Sequence, residues 1–414
     1  MKKLKLHWQV LIAMVLGCIL GISLKNADSS LLSSLYGLVI LFGDIFIRLL
    51  KMVMVPLIFS SIIMGVSSIG TGRKIGRIGF KTLLYYLFTS LMAIITGLFL
   101  SNSLKPGVGA NIVENAAFDP SKIQTPGSSL EILTRMIPTN PFKALASGDM
   151  LGIIFFAIFF GIALNMVDSK KSESLKSLIS SFYSVVMKIT QIVISLAPIG
   201  VLGLMTKTVY TSGLAIFANL AKYMLTIILG LSIHLLITLP LIIFIIMRIN
   251  PIVHFKAMAS AMLTAFSTSS SSATLPVTIK CVKENAKVSN EVSSFVLPMG
   301  ATVNMDGTAL YECAGVLFIS QVLGVAMGLE QQAIIVMTAL LASIGAAGIP
   351  SAGLVMIFIV TSAVGLTDPQ VGVIVGAMLA IDRPLDMLRT MVNVTSDSVG
   401  AAVIAKSEGE KLYF

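Results

Sequence analysis

Apolar runs long enough to cross about 30 Å of hydrocarbon recur along this sequence, and that recurrence restricts the fold more than any other feature. Inside lipid no water satisfies the backbone N–H and C=O groups, so such runs must close their hydrogen bonds internally as helices. The chain therefore reads as an all-α polytopic membrane protein. Composition agrees, with 56% of the 414 residues hydrophobic and 12% charged and a mean hydropathy of +0.95. Cys18, Cys281 and Cys313 are odd in number and scattered through apolar segments, with no CxxC and no nearby His pair, so they read as free packing thiols. The start "MKKLKLHWQV" has no small-residue cleavage site and runs directly into the first apolar stretch, as a spanning helix with a basic cytoplasmic start does.

Eight spans are expected, over 8–25, 35–68, 82–103, 148–167, 175–206, 214–248, 291–325 and 371–405. The second is too long for a perpendicular crossing and is expected to tilt or bend near Pro56. On it, Asp44 and Arg48 are spaced to pair within the helix, and Lys51 is spaced to snorkel. "TGRKIGRIGFK" (71–81) reads as a basic loop, "DSKKSESLK" as a charged turn, and the Pro-, Gly- and Ser-rich 104–147 as an external loop or a broken helix. Two further segments are split by small residues, "FSTSSSSATLP" (266–276) and "ASIGAAGIPSAG" (342–353). Their arms, about 10–16 residues each, are too short to cross alone and suit re-entrant helical hairpins. Each hairpin is followed by a polar-marked span, the order an inverted repeat would have, with binding near the midplane where the repeats meet. More than half of the 29 Lys and Arg residues fall in inner loops and ends if both termini are cytoplasmic, the first hairpin enters from the cytoplasm and the second from outside. The net charge of +10 is then a matter of topology and implies no nucleic-acid partner.

The polar residues inside the apolar background mark the function. The last span, "AMLAIDRPLDMLRTMVNVTSDSVGAAVIA", carries Asp382, Arg383, Asp386, Arg389 and Asp397. Charges at membrane depth cost a few kcal/mol each and persist where they meet a substrate, an ion or one another. At about 100° per residue, Asp386, Arg389, Thr390, Asn393 and Asp397 share one stripe. The serine run Ser269–Ser272 at the first hairpin tip offers hydroxyls and helix-end amides to an anion. "NMDGT" breaks the seventh span with Asn304, Asp306, Gly307 and Thr308, hard oxygen donors suited to a cation such as Na⁺. Gly345, Gly348, Pro350 and Gly353 give the second tip the freedom of a lid. Tyr86, Thr89 and Ser90 read as intrahelical hydroxyls, His234 as a packed histidine rather than a proton relay, and Glu312 has no evident partner. No GxSxG and no base beside the serine run supports a hydrolase, so the chain reads as a transporter and not an enzyme.

"STSSSSATLP", "NMDGTALY", "ASIGAAGIPSAGL" and "LDMLRTMVNVTSDS", in this order and spacing, resemble the glutamate transporter homologues, the dicarboxylate/amino acid:cation symporter family. The resemblance extends over the whole chain. It implies a homotrimer in the inner membrane of a prokaryote, with scaffold helices in 1–80 and 106–212. The transport domain would comprise 81–105 and 213–414 and move like an elevator, with the second hairpin as extracellular gate. It puts Arg389 on the substrate's side-chain carboxylate and Asp386 on its ammonium. Thr390, Asn393, Thr308 and the backbone at Ser269, Ser270, Ser271 and Ile349 to Gly353 complete the pocket. One Na⁺ site would use Asp397 with carbonyls near Gly300, Asn304 and Asn393, and a second Thr302 with carbonyls of Ser343, Ile344 and Ala346. A third would use Tyr86, Thr89, Ser90, Asn304 and Asp306. The pairing of Asp386 with Arg389 favours L-aspartate or L-glutamate over a plain dicarboxylate or a neutral amino acid. Proton-coupled glutamate or C4-dicarboxylate symport is the alternative, and an ion channel the more distant one. Where the family carries a further Arg this chain has Ser269 and Met387. Arg383, one turn before Met387, either supplies that charge or pairs with Asp382.

Overall fold

The computed structural model describes residues 6–25, 30–67, 73–110, 137–213, 216–344, 352–366 and 369–412. Every regular element among them is helical: α1 (Leu6–Lys25), α2 (Ser30–Ser67), α3 (Arg73–Leu104), α4 (Pro141–Ser147), α5 (Met150–Met166), α6 (Ser169–Ser195) and α7 (Ala197–Ser212) come first. A long helix α8 follows from Ile216 to Met247, with π-helical turns at His234–Thr238 and Ile243–Met247. Then come α9 (Pro251–Thr268), α10 (Ser271–Glu284), α11 (Asn290–Val303), α12 (Asp306–Val322), α13 (Leu329–Ile344), α14 (Ala352–Ala363) and α15 (Pro369–Ser407). Among the described residues, five helices are long and apolar enough to cross a membrane, and α5 and α13 are shorter apolar helices.

Pro56 lies inside an uninterrupted α2, and Pro384 inside α15. The basic stretch expected as a loop at 71–81 is helical from Arg73 onward, so α3 begins nine residues before the expected 82. Lys and Arg are good helix formers, and a loop reading based on their charge alone ignores that. The charged turn after α5 is likewise the first turns of α6. The span expected over 175–206 breaks at Leu196, where Ala197-Pro198 opens α7. Proline suits the start of a helix because its missing N–H would be unpaired there in any case.

The helices pack in two groups. In one, α2 packs on α5, α6 and α7, and α1 lies along α7. Glycines bring α2 and α7 together: a Cβ added at Gly203 would lie 2.5 Å from the Val39 carbonyl oxygen. Small residues at such crossings let the backbones approach. In the other group, α15 packs on α8, α9, α11 and α12, and α3 lies along α12. The joins α9–α10 and α13–α14 each pair two short helices that pack on one another. The first turns at Ser269–Ser270, in the serine run; the tip of the second, 345–351, lies outside the described residues. α7 touches α15, α2 touches α14, and these contacts join the groups. Asp44 pairs not with Arg48 but with Lys207 of α7, 3.3 Å away, and Lys51 stands 5.3 Å over the Phe358 ring of α14. All three cysteines are free.

Candidate functional site

The long helix α15 carries its polar stripe into the middle of the second group, and α12, α3 and the hairpin arms close around it. Arg389 is 1% exposed. Its Nη2 lies 2.7 Å from Asp386 Oδ1 and 3.0 Å from Asp382 Oδ1, and its guanidinium carbon stands 3.8 Å from the centre of the Tyr311 ring. Two carboxylates and an aromatic face are what a buried guanidinium needs to offset its lost hydration. Nη1 has no hydrogen-bond partner among the described residues. Gly353, the first turn of α14, sits against it: an added Cβ would be 3.0 Å from Nη1. Arg383 does not pair with Asp382; its Nη1 lies 3.7 Å from the other oxygen of Asp386. Asp382 belongs to Arg389 instead.

Below Arg389 the stripe is tied to the break between α11 and α12. The Gly307 N–H donates to Asn393 Oδ1 at 2.8 Å, and the Asn393 amide donates to Thr308 Oγ1 at 3.3 Å. A Cβ at Gly307 would fall 2.9 Å from the Arg389 carbonyl oxygen, so glycine is what lets α12 approach α15 here. Thr390 donates its hydroxyl back to the Asp386 carbonyl at 2.8 Å. At the first hairpin tip Ser269 adopts a left-handed backbone, φ 52°, and Ser270 caps α10 by accepting from the Ala273 N–H. Ser269 Oγ is buried and unpartnered among the described residues, and Ser271 is also buried.

One turn further in, oxygen donors gather. Asn304 donates to Asp397 Oδ1 at 2.8 Å, while its own Oδ1 is buried without a donor among the described residues. Asp397 Oδ1 and Tyr86 Oη converge on Gly300, where an added Cβ would meet each at 2.5 Å. Ser90 donates to Asp306 Oδ1 at 2.6 Å, and Tyr86 to the Val296 carbonyl at 2.9 Å. Thr89 bonds back to the carbonyls of Tyr85 and Tyr86, as expected of an intrahelical hydroxyl. Two buried carboxylates, Asp306 and Asp397, with the orphaned amide oxygen of Asn304 fit a small hard cation: the set is rich in oxygen acceptors and short of donors. The Thr302 hydroxyl turns back to the Met299 carbonyl at 3.0 Å and the Ser343 hydroxyl to Leu340 at 2.8 Å, each within its own helix. Ile344 closes α13, whereas Ile349 and Ala346, given roles by the resemblance, lie outside the described residues.

Beside this set of oxygen ligands, sequence reasoning missed a contact. His234, expected to be a packed bystander, places Nε2 3.0 Å from Asp306 Oδ2, and both residues are fully buried. Glu312 is also fully buried, and neither carboxyl oxygen has a hydrogen-bond partner among the described residues.

A helical bundle of membrane-spanning lengths, with a buried Asp–Arg–Asp cluster beside a pocket of oxygen donors, defines the class of ion-coupled solute transporters. The chain belongs to the sodium:dicarboxylate symporter family, whose model matches residues 6–407. It is 37% identical over 463 residues to the excitatory amino acid transporter 3 of Mus musculus, covering 99% of this chain and 87% of that one. It is 36% identical over 437 residues to an excitatory amino acid transporter of Caenorhabditis elegans, with coverages of 95% and 85%. To the proton/glutamate-aspartate symporter of Escherichia coli it is 33% identical over 415 residues, with coverages of 98% and 93%.

Proposed function

We propose that the chain is a Na⁺-coupled symporter of L-aspartate and L-glutamate. The observation that carries this reading is the buried pair Asp386 and Arg389, opposite charges 2.7 Å apart on one face of α15. An α-amino dicarboxylate complements both: its ammonium meets Asp386 and its side-chain carboxylate meets Arg389 through the unpartnered Nη1. A planar fork suits that second contact. Thr390, Asn393, Thr308 and the tip at Ser269–Ser271 complete the pocket, with the second hairpin as its cover from Ile349 to Gly353. The names of the relatives agree on the substrate class.

Na⁺ is co-transported cargo here. Asp397, Asn304, Asn393 and Gly300 form one candidate site, Asp306, Asn304, Ser90, Thr89 and Tyr86 another, and Thr302 with Ser343, Ile344 and Ala346 a third. In this reading the chain crosses the inner membrane of a prokaryote eight times, with two re-entrant hairpins, and the bias of Lys and Arg supports both termini in the cytoplasm. The first packing group is the static, trimeric scaffold and the second, with both hairpins, is the moving unit.

A second reading is coupling to protons. It is favoured by Glu312, a buried carboxyl with no counter-charge in hydrogen-bond reach among the described residues, where a proton can be carried. The name of the Escherichia coli relative points the same way.

Uptake into proteoliposomes under separate Na⁺ and H⁺ gradients, with aspartate, glutamate and succinate competing, decides between them. Accumulation driven by Na⁺ alone, with aspartate or glutamate competing better than succinate, is expected. Uptake that follows the H⁺ gradient and ignores Na⁺ would replace the first reading by the second.

A further inference from the structure

We infer that His234 is a positioning residue for cation binding: its imidazole holds the second oxygen of Asp306, so that the carboxylate faces its site in one fixed orientation. This rests on the Na⁺ reading above. The Asp306 carboxylate is held from two helices other than its own. Ser90 of α3 donates to Oδ1 at 2.6 Å, and His234 of α8 lies 3.0 Å from Oδ2. With one donor the group could still turn about its last bond; with two from opposite sides its plane is set.

The backbone of α8 is adapted to this contact. His234 opens a π-helical turn in which the Leu239 N–H bonds to the His234 carbonyl, five residues back, and the next residue is Pro240, which has no N–H to give. π-turns inside α-helices occur often at functional sites, because they re-aim one side chain at some cost to the ladder. The ring is also costly in itself. Nδ1 is buried with no partner among the described residues, so Asp306 is the polar contact that offsets burying the imidazole. A leucine, as at Leu231 and Leu235 on the same helix, would fill the space without that cost. An imidazole donor can fix a carboxylate without the permanent charge of Lys or Arg, and so leaves the negative charge of Asp306 available to a cation.

The test compares His234→Gln, whose amide can occupy the Nε2 position, with His234→Met, of similar bulk and no donor. Na⁺ binding is read as thermal stabilisation of the purified protein during titration with NaCl, at ionic strength held constant with choline chloride. Outer-sphere partners of metal ligands are worth about 10–100-fold in affinity, so His234→Met is expected to raise the half-maximal Na⁺ concentration at least about tenfold. His234→Gln should stay much closer to the wild type, and aspartate affinity at saturating Na⁺ should be unchanged in both. If His234→Met does not fold, His234→Asn, whose shorter amide falls short of Oδ2, replaces it with the same expectation. Equal Na⁺ dependence in all variants, or equal loss in Gln and Met, would overturn the inference alone. A wild type that Na⁺ does not stabilise would overturn the Na⁺ reading and this inference with it.

Discussion

Arg389 is the most demanding residue in the chain, a guanidinium removed from water at a depth where few compensations exist. Asp382, Asp386 and the Tyr311 face supply them, and this constrains how its role can be tested. Removing Arg389 would take from the buried Asp382 and Asp386 the counter-charge they share, a loss of about 3–5 kcal/mol that confounds any transport measurement. Asp386→Asn is the cleaner change. It keeps the shape and leaves Asp382 on the arginine, but removes the charge proposed to meet the substrate ammonium. Aspartate affinity should fall about a hundredfold, the scale of a buried charge-assisted hydrogen bond of about 2–3 kcal/mol. Competition by succinate, which has no ammonium, should change little. Equal losses for both ligands would show that Asp386 does no more than support Arg389. These charged residues were legible in the sequence because an apolar surround makes each of them an exception needing a cause. His234 was not: a lone histidine in an apolar run has no local signature, and its partner Asp306 lies 72 residues further along the chain. The partner of Asp44 was hidden for the same reason, since helical spacing proposes Arg48 and only the packing of α2 on α7 brings Lys207 near.

At the scale of elements, breaks were easier to read than beginnings. The serine run and the "NMDGT" interruption combine poor helix formers with an apolar context, and the chain does leave the helix at Ser269–Ser270 and at Asn304–Met305. The start of α3 at Arg73 was not legible, because basic residues serve loops and helix ends equally well. The tip of the first hairpin provides a test that separates fold from binding. Ser269 ends α9 in a left-handed conformation that costs a non-glycine residue about 1–2 kcal/mol. Ser269→Gly should therefore raise the melting temperature slightly, and Ser269→Val lower it. If the buried hydroxyl serves the substrate, the glycine variant will bind aspartate less well although it is the more stable protein. Tighter or equal binding would confine the Ser269 side chain to a turn-forming role and leave any contact with substrate to its backbone. The other end of α15 is tied down as well. Beyond Ser407, Glu408 meets Lys81 at 2.6 Å and also Arg77, both on α3. Lys81 first, then Arg77, hold the Glu408 carboxyl below the ordinary carboxylate range. A depressed value in the folded state stabilises above the unfolded value of about 4.3 and is lost as pH falls through the folded one. The melting temperature of wild type should thus exceed that of Glu408→Gln at pH 6 to 8, with the gap closing below about pH 4 and shrinking in high salt. A gap that persists in acid would mean that packing, not charge, ties α15 to α3.

At the scale of the whole molecule, the two packing groups are what the proposed mechanism needs: one body that stays and one that carries the site. The all-helical class was legible, because apolar length and the bilayer leave no alternative. The grouping was not readable from periodicity, which says which face of a helix is apolar but not which neighbour it meets. The contacts between the groups make the motion testable. Gly372 of α15 faces Ile47 of α2 closely enough that an added Cβ would lie 3.5 Å from Ile47 Cγ2. Ile47 Cβ, one bond behind Cγ2, is then more than 4 Å from that position, toward the long end of the about 3.5–4.5 Å between the Cβ atoms of a disulfide, so paired cysteines can be joined with a small backbone shift. On a background with Cys18, Cys281 and Cys313 replaced, Ile47→Cys with Gly372→Cys should cross-link under mild oxidant and lose uptake, and reductant should restore it. Each single variant should be insensitive to both reagents. Because the link joins the proposed scaffold to the proposed moving unit without touching Arg389 or Asp397, aspartate binding to the oxidised protein should persist while transport stops. Transport that continues through a completed cross-link would mean that α2 and α15 travel together, and the division of the chain into a fixed and a moving body would fall.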